Sequence, residues 1–268
     1  AQTHAGTYYL VDGEGWINAS DLSTTDNRIE AVQKVLNEKY NNQERISVYV
    51  KQLDTDRVAA INDEKSMYAA SVAKLGVLYY AQERLSQKKL SLSDEYQYTS
   101  AVNGFPGAYD PDGSGKISKM PDDKNYSLEN LLKAVAQNSD NVATNILGYY
   151  VTNQYDKAFQ KSVDKAAATS WNMDKKELTA RAAGTLMEAV YRQNGDIITY
   201  LSSTDYDGER ISKNIDVPVA HKIGDAYDFK HDVAIVYADS PFILSIFTDK
   251  EGYDKITSIA DDVYGILK

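Results

Sequence analysis

Strand-like alternation stands at both ends of this 268-residue chain, and helical periodicity fills the stretch between. Early on, Ile46, Val48 and Val50 alternate with polar residues, Asp54-Thr55-Asp56 supplies a turn and Val58 to Ile61 returns. Late in the chain, Pro218 to Ile223, Asp232 to Ala238 and Phe242 to Thr248 read as strands. Between them the best helical candidates are Ala73 to Leu85, Leu128 to Ala136, Asn141 to Tyr150 and Leu178 to Arg192. An opening helix is expected through Ile29, Val32, Val35 and Leu36 to Tyr40, capped from Ser23-Thr24-Thr25-Asp26. A closing helix is expected from about Tyr253 to Leu267. Strands from both ends bury their faces most simply in one sheet, which leaves the helices as an insertion. The expected class is α/β in the α+β sense. Its expected boundaries are 1–25 for an N-terminal hairpin and 26–268 for the main domain, with an α/β part at 26–68 and 212–268 and an all-helical subdomain at 69–211.

Composition excludes several functions. At 43% hydrophobic and 25% charged the chain is ordinary for a globular protein and long enough for a large core. Its net charge is −10 and no basic run exceeds a pair such as Lys88-Lys89, so the footprint for nucleic acid or anionic lipid is missing. With no cysteine there are no disulfides and no thiolate metal sites, a pattern compatible with export. No apolar run approaches the ~18 residues that span a bilayer; the longest, Leu75 to Ala81 and Pro241 to Phe247, read as core. The chain begins with Ala1 rather than Met, and the expectation is an export or anchor segment removed upstream. His4, His221 and His231 show no zinc-ligand spacing, and His221 on the strand of Lys222 points to the opposite face, so neither a metal centre nor a Ser-His-Asp triad is indicated. The 21 tyrosines are read as packing residues.

Three short stretches carry chemistry: Ser71-Val72-Ala73-Lys74, Ser139-Asp140-Asn141 and Lys222-Ile223-Gly224. A serine hydroxyl is a poor nucleophile at neutral pH and needs a base within reach; three residues along a helix put Lys74 on the face of Ser71. Each stretch alone has a plainer reading. Ser71 and Lys74 fit a capping serine and a surface lysine, Asn138-Ser139-Asp140 a cap cluster, and Lys222-Ile223-Gly224 a turn after an exposed strand. The neighbours Ala69, Ala70, Val72, Ala73 and Leu75 instead suggest a buried helix, where a lysine needs a reason. At Gly224 the missing side chain would let a substrate backbone approach the strand.

The trio resembles the class A β-lactamase and low-molecular-weight penicillin-binding protein superfamily over about residues 26 to 268. Its flanks carry the same resemblance: Tyr68-Ala69-Ala70, Val142-Ala143-Thr144-Asn145, Val219-Ala220-His221 and His231 to Tyr237. The resemblance implies an antiparallel sheet flanked by helices, with Ser71 as nucleophile and Lys74 as base. It implies that Ser139 passes the proton to the leaving group, that Asn141 binds the substrate's acyl amide and orients Lys74, and that Asp140 fixes its loop. Lys222 would depress the pKa of Lys74, and the amides of Asp225 and Ser71 would form the oxyanion hole. The implied substrates are β-lactams or acyl-D-alanyl peptides of peptidoglycan, with no cofactor and no metal. The implied location is extracellular, or associated with the cell wall or membrane after export, in a Gram-positive bacterium.

Two departures qualify the match. Ile223 stands where a hydroxyl residue would bind the substrate carboxylate, which leaves Lys222 to carry that role. β-Lactamases place a water-activating glutamate in the segment before the helix near Leu178, but here Asn172 follows Trp171, and Glu177 reads as part of that helix's first turn. Slow hydrolysis of the acyl-enzyme is therefore expected, in a penicillin-binding enzyme rather than an efficient class A β-lactamase. A wall-associated receptor on the same fold that turns over nothing is the alternative from another class.

Two further segments attract motif readings. Asp110-Pro111-Asp112-Gly113-Ser114-Gly115-Lys116-Ile117 resembles the opening of a calcium loop, but Pro121 falls where the bidentate glutamate belongs, so a Gly/Asp-rich turn at the mouth of the site is preferred over a cation loop at 110–118. Tyr8 to Asn18 alternates and turns at glycine like a hairpin, and with Ala19-Ser20-Asp21-Leu22 it resembles the last strands of a bacterial SH3-like (GW-type) wall module.

Overall fold

The computed structural model describes residues 2–3, 6–11, 15–21 and 26–268. At the N-terminus, β1 (Gln2–Thr3), β2 (Gly6–Val11) and β3 (Gly15–Asn18) pair in order as a three-stranded antiparallel sheet. The expected turn at 12–14 and the expected cap residues Ser23, Thr24 and Thr25 lie outside the described residues.

Helix α1 (Arg28–Tyr40) buries Ile29, Val32, Leu36 and Tyr40, and Asp26 accepts from the Arg28 N–H at its start. Strands β4 (Ile46–Gln52) and β5 (Val58–Ile61) follow as the alternation predicts. Strand β6 (Met67–Tyr68) and a 3-10 turn, Ala70–Ala73, lead into α2 (Lys74–Ser86), the core helix of the middle region. Strands β7 (Glu95–Gln97) and β8 (Asn125–Ser127) pair beneath α3 (Leu128–Asn138) and α4 (Asn141–Tyr150). Next come α5 (Lys157–Ala167), β9 (Glu177–Leu178), α6 (Ala180–Gln193) and α7 (Asp196–Leu201). A 3-10 helix, Arg210–Asn214, returns the chain to β10 (Val219–Ala226), β11 (Phe229–Val236), β12 (Phe242–Asp249) and α8 (Tyr253–Leu267).

The main sheet has the order β10-β11-β12-β4-β5, antiparallel throughout, so strands from both chain ends meet where β12 pairs with β4. Successive side chains point to opposite faces, and in β4 and β12 both faces are buried, whereas β5 at the edge leaves Val58 exposed. On one face Val48, Val50, Leu244 and Ile246 pack against α1 and α8; on the other Tyr49, Val233 and Ile243 join the core built around α2 and α6. Helices α5 and α7 go beyond the sequence expectation. Phe159, Val163 and Ala167 form the buried stripe of α5 behind an Asp156 cap, whereas α7 has a single turn and a half of chain to show itself.

Gly184 lets α6 lie on the sheet: a methyl group there would sit 2.6 Å from the Tyr49 ring. Gly265, within α8, has nothing within 4 Å of the same position. Gly184→Val should therefore cost about 1–3 kcal/mol in urea unfolding, while Gly265→Ala should stabilise by up to ~1 kcal/mol.

Candidate active site

The chain enters the site along β6, which pairs with β9 in the register Met67 to Leu178 and Tyr68 to Glu177. The Ala69 N–H then donates to Lys176 O at 2.7 Å, and Ala70 adopts a left-handed φ of 48°, a conformation that a non-glycine residue holds only where its surroundings enforce it. That bend delivers Ser71 on the 3-10 turn at the head of α2, 7% exposed at the floor of a cleft. Lys74, one turn on, is fully buried.

Three of the four expected catalytic side chains, Lys74, Ser139 and Lys222, converge, and Ser71 lines the cleft with Asn141. Lys74 Nζ donates to Ser139 O at 2.6 Å and to Asn141 Oδ1 at 2.5 Å, and lies 3.4 Å from Ser139 Oγ. Lys222 Nζ reaches the same hydroxyl at 2.8 Å from β10 and donates to Ile223 O at 3.1 Å. Ser139 can serve both lysines because it is the left-handed C-cap of α3 (φ 53°), turning its hydroxyl into the gap before α4. Ser71 Oγ has no hydrogen-bond partner among the described residues. Burial, aided by Lys222, holds the Lys74 amine well below the usual lysine range. Burial likewise lowers Lys222 to about 7, with Arg210 adding to the effect.

Asp140 is the frame of this centre. One carboxylate oxygen caps α4 through the Ala143 N–H at 2.8 Å; the other accepts from the amides of Lys116 at 2.6 Å and Ile117 at 2.9 Å. The loop over 110–118 is thereby wrapped onto Asp140, and a side chain at Gly115 would sit 2.2 Å from that carboxylate. Lys119 donates to the carbonyls of Gly113 and Gly115, and among the described residues no group of three or more His, Asp or Glu side chains is arranged to hold a metal ion. The same loop takes up Asn141, whose Nδ2 donates to Asp110 O at 2.8 Å.

A methyl group at Gly224 would meet Ala69 O at 2.6 Å, so the protein's own backbone before Ser71 approaches the strand closely here. β10 is an edge strand of the sheet, and Ser71 and Asp225 line one cleft. The Asp225 carboxylate is occupied with Arg210 at 2.9 Å and with Lys230 and Tyr253.

Glu177 does not belong to the first turn of α6. It lies in β9, ahead of the Thr179 cap, because pairing with Tyr68 holds this stretch extended. Its side chain is exposed and borders a separate hollow with Met67 and Phe229. Lys176 reaches the Ser71 cleft instead: its ammonium donates to Gly107 O at 2.8 Å and lies 4.5 Å from the centroid of the Tyr109 ring. Lys74 lies 4.5 Å from the same centroid. Trp171 packs away from the cleft, against Gly76 of α2.

Sequence reasoning missed Lys176, Tyr109 and Arg210, none of which stands in a local pattern that marks it. Arg210 is 1% exposed, stacks on Tyr253 at 3.8 Å, pairs with Glu209 and Asp225, and has an Nε without a partner among the described residues. It lines a hollow of 730 Å3 with Ile223, adjoining the 330 Å3 cleft of Ser71.

Both internal histidines support the site from behind. His231 donates through Nε2 to Tyr68 O at 2.8 Å and accepts from the Thr248 amide at 3.1 Å, a neutral tautomer that burial keeps at a pKa of about 4. His221, on the far face from Lys222 as expected, sits between Asp232 at 3.1 Å and Asp207 at 3.2 Å. Burial opposes its charge, but Asp232 and Asp207 outweigh it and raise the pKa to about 9.

A sequence profile of the β-lactamase enzyme family matches residues 27–267. The chain belongs to that family, a family of hydrolases. No curated protein matches it in sequence. Among solved structures, PBP-A is similar with a TM-score of 0.72 at 15% identity, over 90% of this chain and 95% of that one. A PBP-A variant captured as an acyl-enzyme with penicillin G gives a TM-score of 0.72 at 15% identity, over 89% and 95% of the two chains. A β-lactamase from Sphaerobacter thermophilus gives 0.68 at 14% identity, over 89% and 94%. At these identities the likeness is one of fold.

His221 binds its proton more tightly folded than unfolded, so its contribution to stability is complete below pH 6.5 and is lost as the pH rises to about 9. Lys222, with its lowered pKa, runs the opposite way. The difference in urea stability between wild type and His221→Gln isolates the first: it should shrink by roughly 2–3 kcal/mol between pH 6 and pH 9.5.

Proposed function

We propose that this protein forms an acyl-enzyme at Ser71 with β-lactams or with acyl-D-alanyl peptides of peptidoglycan, and releases it slowly. The observation that carries the reading is the buried Lys74–Ser139–Lys222 relay beside Ser71, faced by a lysine and not a carboxylate from the segment before α6. A neutral lysine amine has two N–H bonds and one lone pair. Ser139 O and Asn141 Oδ1 accept the two N–H bonds of Lys74, which leaves the lone pair for the Ser71 proton. Ser71 Oγ then bonds to the acyl carbon, and the charge on its oxygen faces the backbone amides at the edge of β10. The proton passes from Lys74 by way of Ser139 to the leaving nitrogen as the C–N bond breaks.

Lys222 stands beside Ile223 and keeps the role of meeting the substrate carboxylate without the hydroxyl that Ile223 lacks. Deacylation needs a base beside the attacking water. Glu177 faces another hollow and Lys176 brings a cation, so the ester persists.

The same reading places the protein outside the cytoplasm, at the cell wall. The N-terminal sheet supports this: Tyr9, Leu10 and Trp16 are 56%, 66% and 60% exposed, a surface suited to a polymer, and it is read as a fragment of an SH3-like wall module.

Intact-mass measurement with benzylpenicillin should show a single adduct on wild type lasting hours and none on Ser71→Ala. An adduct that clears within seconds would make the protein an efficient β-lactamase, and no adduct would sink the acyl-enzyme reading in favour of a binding role. The second-order acylation rate should fall on its alkaline side with an apparent pKa of about 7, as Lys222 loses the proton that receives the substrate carboxylate. Lys222→Arg keeps its charge and should abolish that limb; a limb left in place belongs to another group.

A further inference from the structure

Two adjoining hollows share Ser114 and Asp225, and their charges are balanced differently. In one, the Arg210 guanidinium is already met by Glu209 and Asp225. In the other, which holds Ser71 and Asn141, the cation is Lys176, 6% exposed. Its ammonium has one protein acceptor, Gly107 O, and the face of Tyr109. Among the described residues no carboxylate stands within ion-pair distance of it. Asp174 acts on this ammonium from beyond ion-pair distance, so a carboxylate entering the cleft can make the direct contact that the protein itself does not.

The surroundings sharpen the point. Among the charges that act on Lys74 are the cations Lys222, Lys176 and Lys119 and the carboxylate of Asp140. That carboxylate is committed to three backbone amides. The cleft of Ser71 is lined by Lys176 together with Asp110 and Asp225, and Asp225 is already paired with Arg210 and Lys230, which leaves Lys176 as the cation that faces an anionic ligand there.

We propose that Lys176 is a specificity-determining residue that receives a carboxylate carried on the acyl portion of the substrate. It shares its hollow with Ser71 and Asn141, whereas Lys222 beside Ile223 takes the carboxylate on the leaving side in the reading proposed above. The preferred acyl donors are then doubly anionic, with one carboxylate on each side of the scissile bond. In a wall peptide this is an acyl residue with a free side-chain carboxylate. The inference rests on the reading of Ser71 as the acylated group.

Benzylpenicillin and carboxybenzylpenicillin differ by one carboxylate on the acyl side chain and form a matched pair of probes. The second-order acylation rate of the wild-type protein should favour carboxybenzylpenicillin by about tenfold, the effect of one charge-assisted contact. Lys176→Met should bring the ratio near one, and Lys176→Arg should retain most of the preference. A strut that merely holds Gly107 would slow both probes alike, so the ratio separates the two roles even where the Met variant is less stable. Equal rates on wild type, or a preference that survives in Lys176→Met, would overturn the inference while leaving the acyl-enzyme reading intact. No adduct from either probe would overturn that reading, and this inference with it.

Discussion

Two buried lysines sharing one serine hydroxyl set the terms for the rest of the molecule. Lys74 is fully buried and Lys222 is 1% exposed, and neither has a carboxylate at ion-pair distance among the described residues. Isolated ammonium groups are expensive to bury, and the protein resolves the conflict by shifting them toward the neutral amine. The desolvation that frees a lone pair on these amines also withdraws stability from the fold. Two large cores, one on each face of the sheet, offset that penalty, and Asp140 and the left-handed Ser139 keep the cage in one geometry. A destabilised site held by an over-determined frame is the usual compromise between activity and stability.

The two halves of the molecule are joined across this cage by the segment 204–210. Asp207 pairs with His221 behind the sheet, Tyr206 donates to Asn138 O at the end of α3, and Asp205 pairs with Lys116 of the wrapped loop. Arg210 then closes the seam against Asp225 and Tyr253. The spacing between Lys222 on the sheet and Lys74 on the helix therefore depends on a tie made by residues that touch neither.

Much of this was legible in the sequence, and the exceptions share a cause. The strands of the main sheet and helices α1 to α4, α6 and α8 announce themselves because burial imposes a period on their own residues. Ser71 and Lys74 are legible for the same reason: one helical turn brings them together without help from the rest of the chain. Strands β6 and β9, two residues each, exist only because distant segments meet, and that pairing removed Glu177 from the helix to which its position seemed to assign it. Lys176, Tyr109 and Arg210 reach the site from loops, so their importance lies in tertiary contacts that no local pattern encodes. Gly224 was legible as a close approach but not as to what approaches, since the carbonyl of Ala69 comes from a segment far away in the chain.

Asn141 has both ends of its amide committed within the resting protein, Oδ1 to Lys74 and Nδ2 to the carbonyl of Asp110. Nδ2 carries a second hydrogen, but a visitor that takes the committed one must evict a resident carbonyl of the same chemistry and gains nothing by the exchange alone. In the acyl-enzyme reading a substrate carbonyl therefore has one hydrogen of this amide to win, while the loop over the cleft competes for the other.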